Sequence, residues 1–176
     1  GRSHEQARLW LRCAETELRA GDLAHAETWA RSALELAEEL SDPRLRSYAT
    51  GQLGRAAELR GDMRAALDST DQAAFWAQQA QAPEALYRWE WQRGRLWRAQ
   101  GKLAEARSAF ERAITTLRPI QPDLLAGCGS TVGSFRESVG GLYYDFADLL
   151  LADARDESSL RAACNVSSLA PRCVSR

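Results

Sequence analysis

Lysine is almost missing from this chain: Lys102 stands alone beside 22 arginines. Together with the abundant alanine, the skew looks like the coding bias of a GC-rich bacterial genome and carries no mechanism. Histidine is nearly as scarce, confined to His4 and His25. The four cysteines, at 13, 128, 164 and 173, form no CxxC pair and have no imidazole clustered with them. A zinc site needs such grouped ligands, so none is expected. The N-terminus is not read as a secretory signal, so free thiols in a reducing cytosol are the expectation. Cys13 lies on an apolar helical stripe and is expected in the core. No run of 18 apolar residues exists to span a bilayer. Net charge is -1 with acids and bases interspersed, so no basic arm or acidic tail argues for nucleic acid or a membrane surface. The opening "GRSHEQARLW" has no initiator Met and no apolar core of a signal peptide. It reads as a cut edge or the interior of a longer chain, and a cytoplasmic location is expected.

Catalysis needs a nucleophile beside a base, or carboxylates tuned by their surroundings, in a pocket. Histidine is confined to the first segment, and Cys128 sits in a glycine-rich stretch with no basic neighbour. Asp145 and Asp148 flank an apolar stripe and read as surface residues. No catalytic residue, metal or cofactor is expected, and the chain by itself reads as no enzyme.

What the sequence does have is a period. "GDLAHAETWARSALELA" begins at Gly21, "GDMRAALDSTDQAAFWA" at Gly61 and "GKLAEARSAFERAITTL" at Gly101, forty residues apart. Five residues after each glycine stand Ala26, Ala66 and Ala106. Twelve after stand Ala33, Ala73 and Ala113, and sixteen after stand Ala37, Ala77 and Leu117. Those spacings mark one face of a helix, small enough for a neighbour to approach closely. A second helix precedes each glycine, its start marked by Pro43 after Ser41-Asp42 and by Pro83 after Gln81-Ala82. Proline suits a first helical turn, and glycine suits a left-handed C-cap. Each unit is therefore helix, tight turn, helix, short linker. A lone hairpin cannot bury its apolar stripe, whereas stacked hairpins share a core. The expected fold is an all-α solenoid with a pitch of about forty residues.

The units resemble tetratricopeptide repeats. Where that family favours a small residue, seven positions before the turn, stand Ala14, Gly54 and Gly94. The fullest match is Gly94, Trp97, Gly101, Ala106, Phe110 and Ala113. The pitch exceeds that of the family, which implies longer helices. The resemblance implies a right-handed superhelix of antiparallel helical hairpins, three of them over 1–118, with the first helices lining a ligand groove. By that resemblance, groove positions lie thirteen, ten, six, three and two residues before each glycine. Prominent among them are Arg8, Glu15, Tyr48, Arg55, Arg88, Trp91, Arg95 and Arg98. Guanidinium forks beside an indole suit a carboxylate-bearing peptide, so a protein or acidic peptide partner is expected. The alternative is that these arginines simply form surface pairs with Glu84, Glu90 and neighbouring acids. Trp29, Trp76 and Trp97 are expected to be buried between hairpins.

After the third unit, "RPIQPDLLAGCGSTVGS" breaks the period, and the helix is expected to end at Pro119. Residues 119–133 read as a Pro/Gly-rich connector; its glycines lack the Lys-Ser/Thr ending and preceding strand of a phosphate loop. Residues 134–153 read as a fourth first helix, with Tyr143, Phe146, Ala147 and Leu150 in the repeat pattern. Residues 154–176 read as a short helix or disordered tail. The succession "LRPIQPDLLAG" and "SFRESVGGLYYDFADLLL" resembles the stretch between repeats and catalytic domain in bacterial CHAT proteins, which are caspase-like cysteine peptidases. That implies a partner-binding or sensing arm of a larger peptidase, whose His/Cys dyad transfers to no residue here. The alternatives are the repeat region of a transcriptional or signalling regulator and a free-standing adaptor.

Overall fold

Gly21, Gly61 and Gly101 have φ of 83, 85 and 74°, a left-handed conformation that glycine adopts without steric cost. In the computed structural model, which describes residues 2–126, 132–153, 161 and 164–166, each of these glycines separates two helices. The elements are α1 (Arg2–Ala20), α2 (Leu23–Glu39), α3 (Pro43–Arg60), α4 (Met63–Gln79), α5 (Pro83–Ala99), α6 (Leu103–Ala126) and α7 (Val132–Asp153). The described residues contain no strand, and the fold is all-α.

The turns are built as the spacing predicts. The amides of Asp22, Asp62 and Lys102 reach back to the carbonyls of Glu17, Ala57 and Trp97, each at 3.0 Å, which closes the end of the preceding helix. Asp22 and Asp62 then cap the next one, accepting from the amides of His25 and Ala65 at 3.1 and 3.0 Å. At the other turns Pro43 and Pro83 open α3 and α5. There Ser41 and Gln81 take the left-handed conformation, with φ of 52 and 49°.

Each helix packs on the next, and α1 also meets α3, α3 meets α5, and α5 meets α7; among the described residues the even-numbered helices do not meet one another. The repeat columns explain this. Ala26, Ala66 and Ala106, then Ala33, Ala73 and Ala113, then Ala37, Ala77 and Leu117 are all buried. Such small side chains bring helix axes close. The small residue before the turn has a specific partner: a Cβ added at Gly94 would lie 2.6 Å from the Phe110 ring. Phe110 fills the space that Gly94 leaves.

Three expectations change. Trp29, Trp76 and Trp97 are only half-buried, because the alanine stripes already fill the interior. Arg46 lies over the Trp76 ring at 4.9 Å and Lys102 over Trp97 at 4.4 Å, cations on the wetter faces of the indoles. The buried tryptophan is Trp89, whose N–H donates to Ser47 Oγ at 2.8 Å. Cys13, likewise, is half-buried rather than core.

The helix also does not stop at Pro119. It runs on to Ala126 with Pro119 and Pro122 inside it, so helix replaces connector over 119–126 and again from Val132. A proline costs an interior helix about 3 kcal/mol, and burying an apolar side chain returns an amount of comparable size. Ile120 and Leu124 continue the stripe of Leu117 and pack on the core that α6 shares with α7, and Tyr143 donates to Gln121 at 3.1 Å. Residues 127–131 lie outside the described residues, as does most of 154–176, of which Cys164–Val166 are helical. In α7, Tyr143, Phe146, Ala147 and Leu150 are buried, as their spacing predicts.

Candidate functional site

Two reversals separate α1 from α3 and α3 from α5, so these three helices share a direction and lie side by side. Residues at equal distances before the turn glycines therefore form rows. Thirteen before stand Arg8, Tyr48 and Arg88; nine before, Arg12, Gln52 and Gln92; six before, Glu15, Arg55 and Arg95; two before, Arg19, Leu59 and Ala99. At 1.5 Å per residue, the first and third of these rows lie about 10 Å apart.

A groove of about 930 Å³ crosses the rows. Of the eight side chains that the repeat resemblance assigns to a groove, Arg8, Glu15, Tyr48, Arg55, Arg88, Trp91 and Arg95 line this one. Arg98 does not. Its Nη1 turns to the carbonyl of Asp145 in α7 at 3.4 Å. Sequence reasoning missed Arg12, Gln52 and Gln92, which also line the groove. The signal was available: nine before the turn is four residues from one chosen row and three from another, the spacing of one helix face. Arg44, four before Tyr48, was legible by the same rule.

The groove is basic although the chain as a whole is not. Arg8, Arg12, Arg19, Arg44, Arg55, Arg88 and Arg95 line it, against the carboxylates of Glu15 and Asp42. These cations are not equivalent. Arg19 is held by Glu15 at 2.7 Å. Arg55 and Arg95 share Glu58, at 2.6 and 3.2 Å. Burial alone would raise the Glu58 carboxyl; the guanidiniums of Arg95 and Arg55 outweigh it and hold the group below its ordinary value. Arg44 meets Glu84 at 3.4 Å. Among the described residues no ion pair takes up Arg8, Arg12 or Arg88. Partial desolvation by itself lowers the pKa of the exposed Arg88, but Tyr87, Tyr48 and Glu15 more than offset this and the group stays charged. Tyr48 sits edge-on to Trp89 with centroids 6.1 Å apart, and burial raises its phenol pKa, so the hydroxyl keeps its proton.

The suggested pairing with acids is met in part: Glu15 and Glu58 take up Arg19, Arg55 and Arg95, whereas Glu90 takes up none of the groove arginines. Glu90 is buried and bonds Arg93 and Arg112, away from the groove. Glu84 reaches only Arg44. Asp145, read as a surface residue, instead accepts the Trp91 N–H at 2.7 Å. The face of that indole carries the Arg95 guanidinium, 5.1 Å from the ring centroid.

Among the described residues no group of three His, Cys, Asp or Glu is placed to hold a metal ion, and no helix is long and apolar enough to cross a membrane. Compared with known proteins, the chain matches no family model and no curated protein.

Proposed function

We propose that the chain is a protein-interaction module of tetratricopeptide type, an α-solenoid of about three and a half helical hairpins whose groove takes an acidic peptide segment. The observation that carries the reading is the groove across α1, α3 and α5, with seven arginines against two carboxylates in a chain of net charge -1. Arginine binds carboxylates bidentately, and indoles and leucines beside it supply apolar anchorage. The left-handed glycines at a forty-residue period and the contacts among odd-numbered helices support the repeat architecture. Within it, α7 takes the place of a fourth first helix. We assign the module to the partner-binding arm of a larger CHAT-type cysteine peptidase, without catalysis of its own. The support is the resemblance of the α6–α7 stretch to the segment that precedes such catalytic domains.

Two measurements test this. Titration with a short polyglutamate peptide, followed by NMR, is expected to shift the Trp91 indole N–H and the arginine Nε–H signals of the groove. Shifts confined to α2, α4 and α6, or no binding, would overturn the groove. Reading the encoding DNA beyond the codon for Leu151 tests the parent: a domain with paired His and Cys supports the peptidase, and an immediate stop removes it.

A further inference from the structure

We infer that the groove imposes a polarity on its ligand: acidic side chains of a peptide segment lie at the Arg8–Tyr48–Arg88 row, and an apolar side chain of the same segment lies at Leu18 and Leu59. The inference rests on the groove being the ligand site and specifies how it is read.

The two ends of the groove differ in how their charges are spent. Toward the C-terminal ends of α1, α3 and α5, the cations are already neutralised within the chain. Glu15 holds Arg19 at 2.7 Å, and Glu58 holds both Arg55 and Arg95. A ligand carboxylate there would have to displace a partner fixed at no translational cost. What this end leaves open is apolar: Leu59 is 46% exposed, and the half-buried Leu18 also lines the groove.

Toward the opposite end, Arg8 and Arg88 flank Tyr48 in one row, both open to solvent and neither in an ion pair. Two guanidiniums and a phenol offer hydrogen-bond donors here, and Asp42, the carboxylate that lines this end, is taken up by the amides of Arg44 and Leu45 at 2.9 and 3.0 Å. Such a row recognises anions, and Asp or Glu side chains supply them in a peptide. Leu18 and Leu59 lie ten and eleven residues from this row along α1 and α3, about 16 Å. An extended chain covers that span in about five residues. The fitting ligand therefore carries a pair of acidic residues and, about five positions away, a leucine-like side chain.

The test uses a short peptide with two glutamates at one end and leucine at the other, spin-labelled at its acidic end, with isotope-labelled protein. The label is expected to broaden the signals of Arg8, Tyr48 and Arg88 and to spare Leu18 and Leu59. Replacing the glutamates by glutamine is expected to weaken binding at least tenfold, the size of one charge-assisted hydrogen bond. Arg8→Gln with Arg88→Gln is expected to produce the same loss for the glutamate peptide and little for its glutamine counterpart. Broadening at Leu18 and Leu59 instead, or equally at both ends, would overturn the polarity and leave the groove as the ligand site. A phosphoserine version binding more than tenfold tighter than the glutamate peptide would replace the carboxylate by a phosphoryl group. Binding by none of the peptides, or broadening only outside the groove, would overturn the polarity together with the groove reading. The spin-label arm uses the unaltered chain, so it stands even where a variant folds poorly.

Discussion

Trp91 and Asp145 stand 54 residues apart in the chain and meet at 2.7 Å, the indole N–H donating to the carboxylate. Gly141, one helical turn earlier in α7, lies so near the same ring that an added Cβ would sit 2.9 Å from it. The indole that lines the groove is thus also the surface on which α7 docks. Asp145→Ala leaves the N–H without its acceptor and is expected to cost about 1 kcal/mol. Amide hydrogen exchange checks it: α7 should exchange faster while α1 and α2 keep their protection.

Gly94 and Phe110 make a small-against-aromatic contact within the repeat that can be tested directly. Gly94→Ala puts a methyl group against the ring and is expected to cost about 1–3 kcal/mol by overpacking. Phe110→Leu costs on its own through lost burial. Denaturant midpoints of the double variant should show less than the sum of the two losses, because each change relieves the other. Strict additivity would mean that the ring does not fill the glycine's space.

Glu58 ties stability to acid. Its folded pKa lies below the ordinary value, so the stability it contributes is fully present above the unfolded carboxylate range, around pH 4. That contribution is lost as pH falls through the depressed folded value. Glu58→Gln should therefore lower stability at neutral pH and flatten the acid side of the curve. Melting temperatures measured between neutral pH and pH 3 decide it; parallel curves for the two proteins would contradict it.

Glu90 is a carboxylate only 4% exposed. Two cations justify its burial: Arg93 at 3.0 Å and Arg112 at 3.0 Å. Glu90→Ala leaves both without this partner and is expected to destabilise by about 3 kcal/mol. Urea unfolding measures it, and a loss below 1 kcal/mol would show the network to be ornamental.

The sequence alone determined what repeats along one helix. The forty-residue period, the left-handed glycines, the buried alanine columns and the helix-opening prolines follow from spacings of three, four and seven, which place residues on one face wherever the helix goes. Equal distances from the turn glycines likewise set residues of α1, α3 and α5 in rows, and seven of the eight side chains that the repeat resemblance assigned to a groove line the one found here. Tertiary structure decided everything that depends on a distant partner. Arg95 reads like Arg88 in the sequence, yet Glu58, 37 residues away, neutralises it. Arg98 is drawn out of the groove by Asp145, 47 residues away. Pro119 reads as a helix end, yet Ile120 and Leu124 meet the core shared with α7 and the helix continues. A charge or a proline states what it costs locally; whether that cost is met depends on which groups folding brings within a few ångströms.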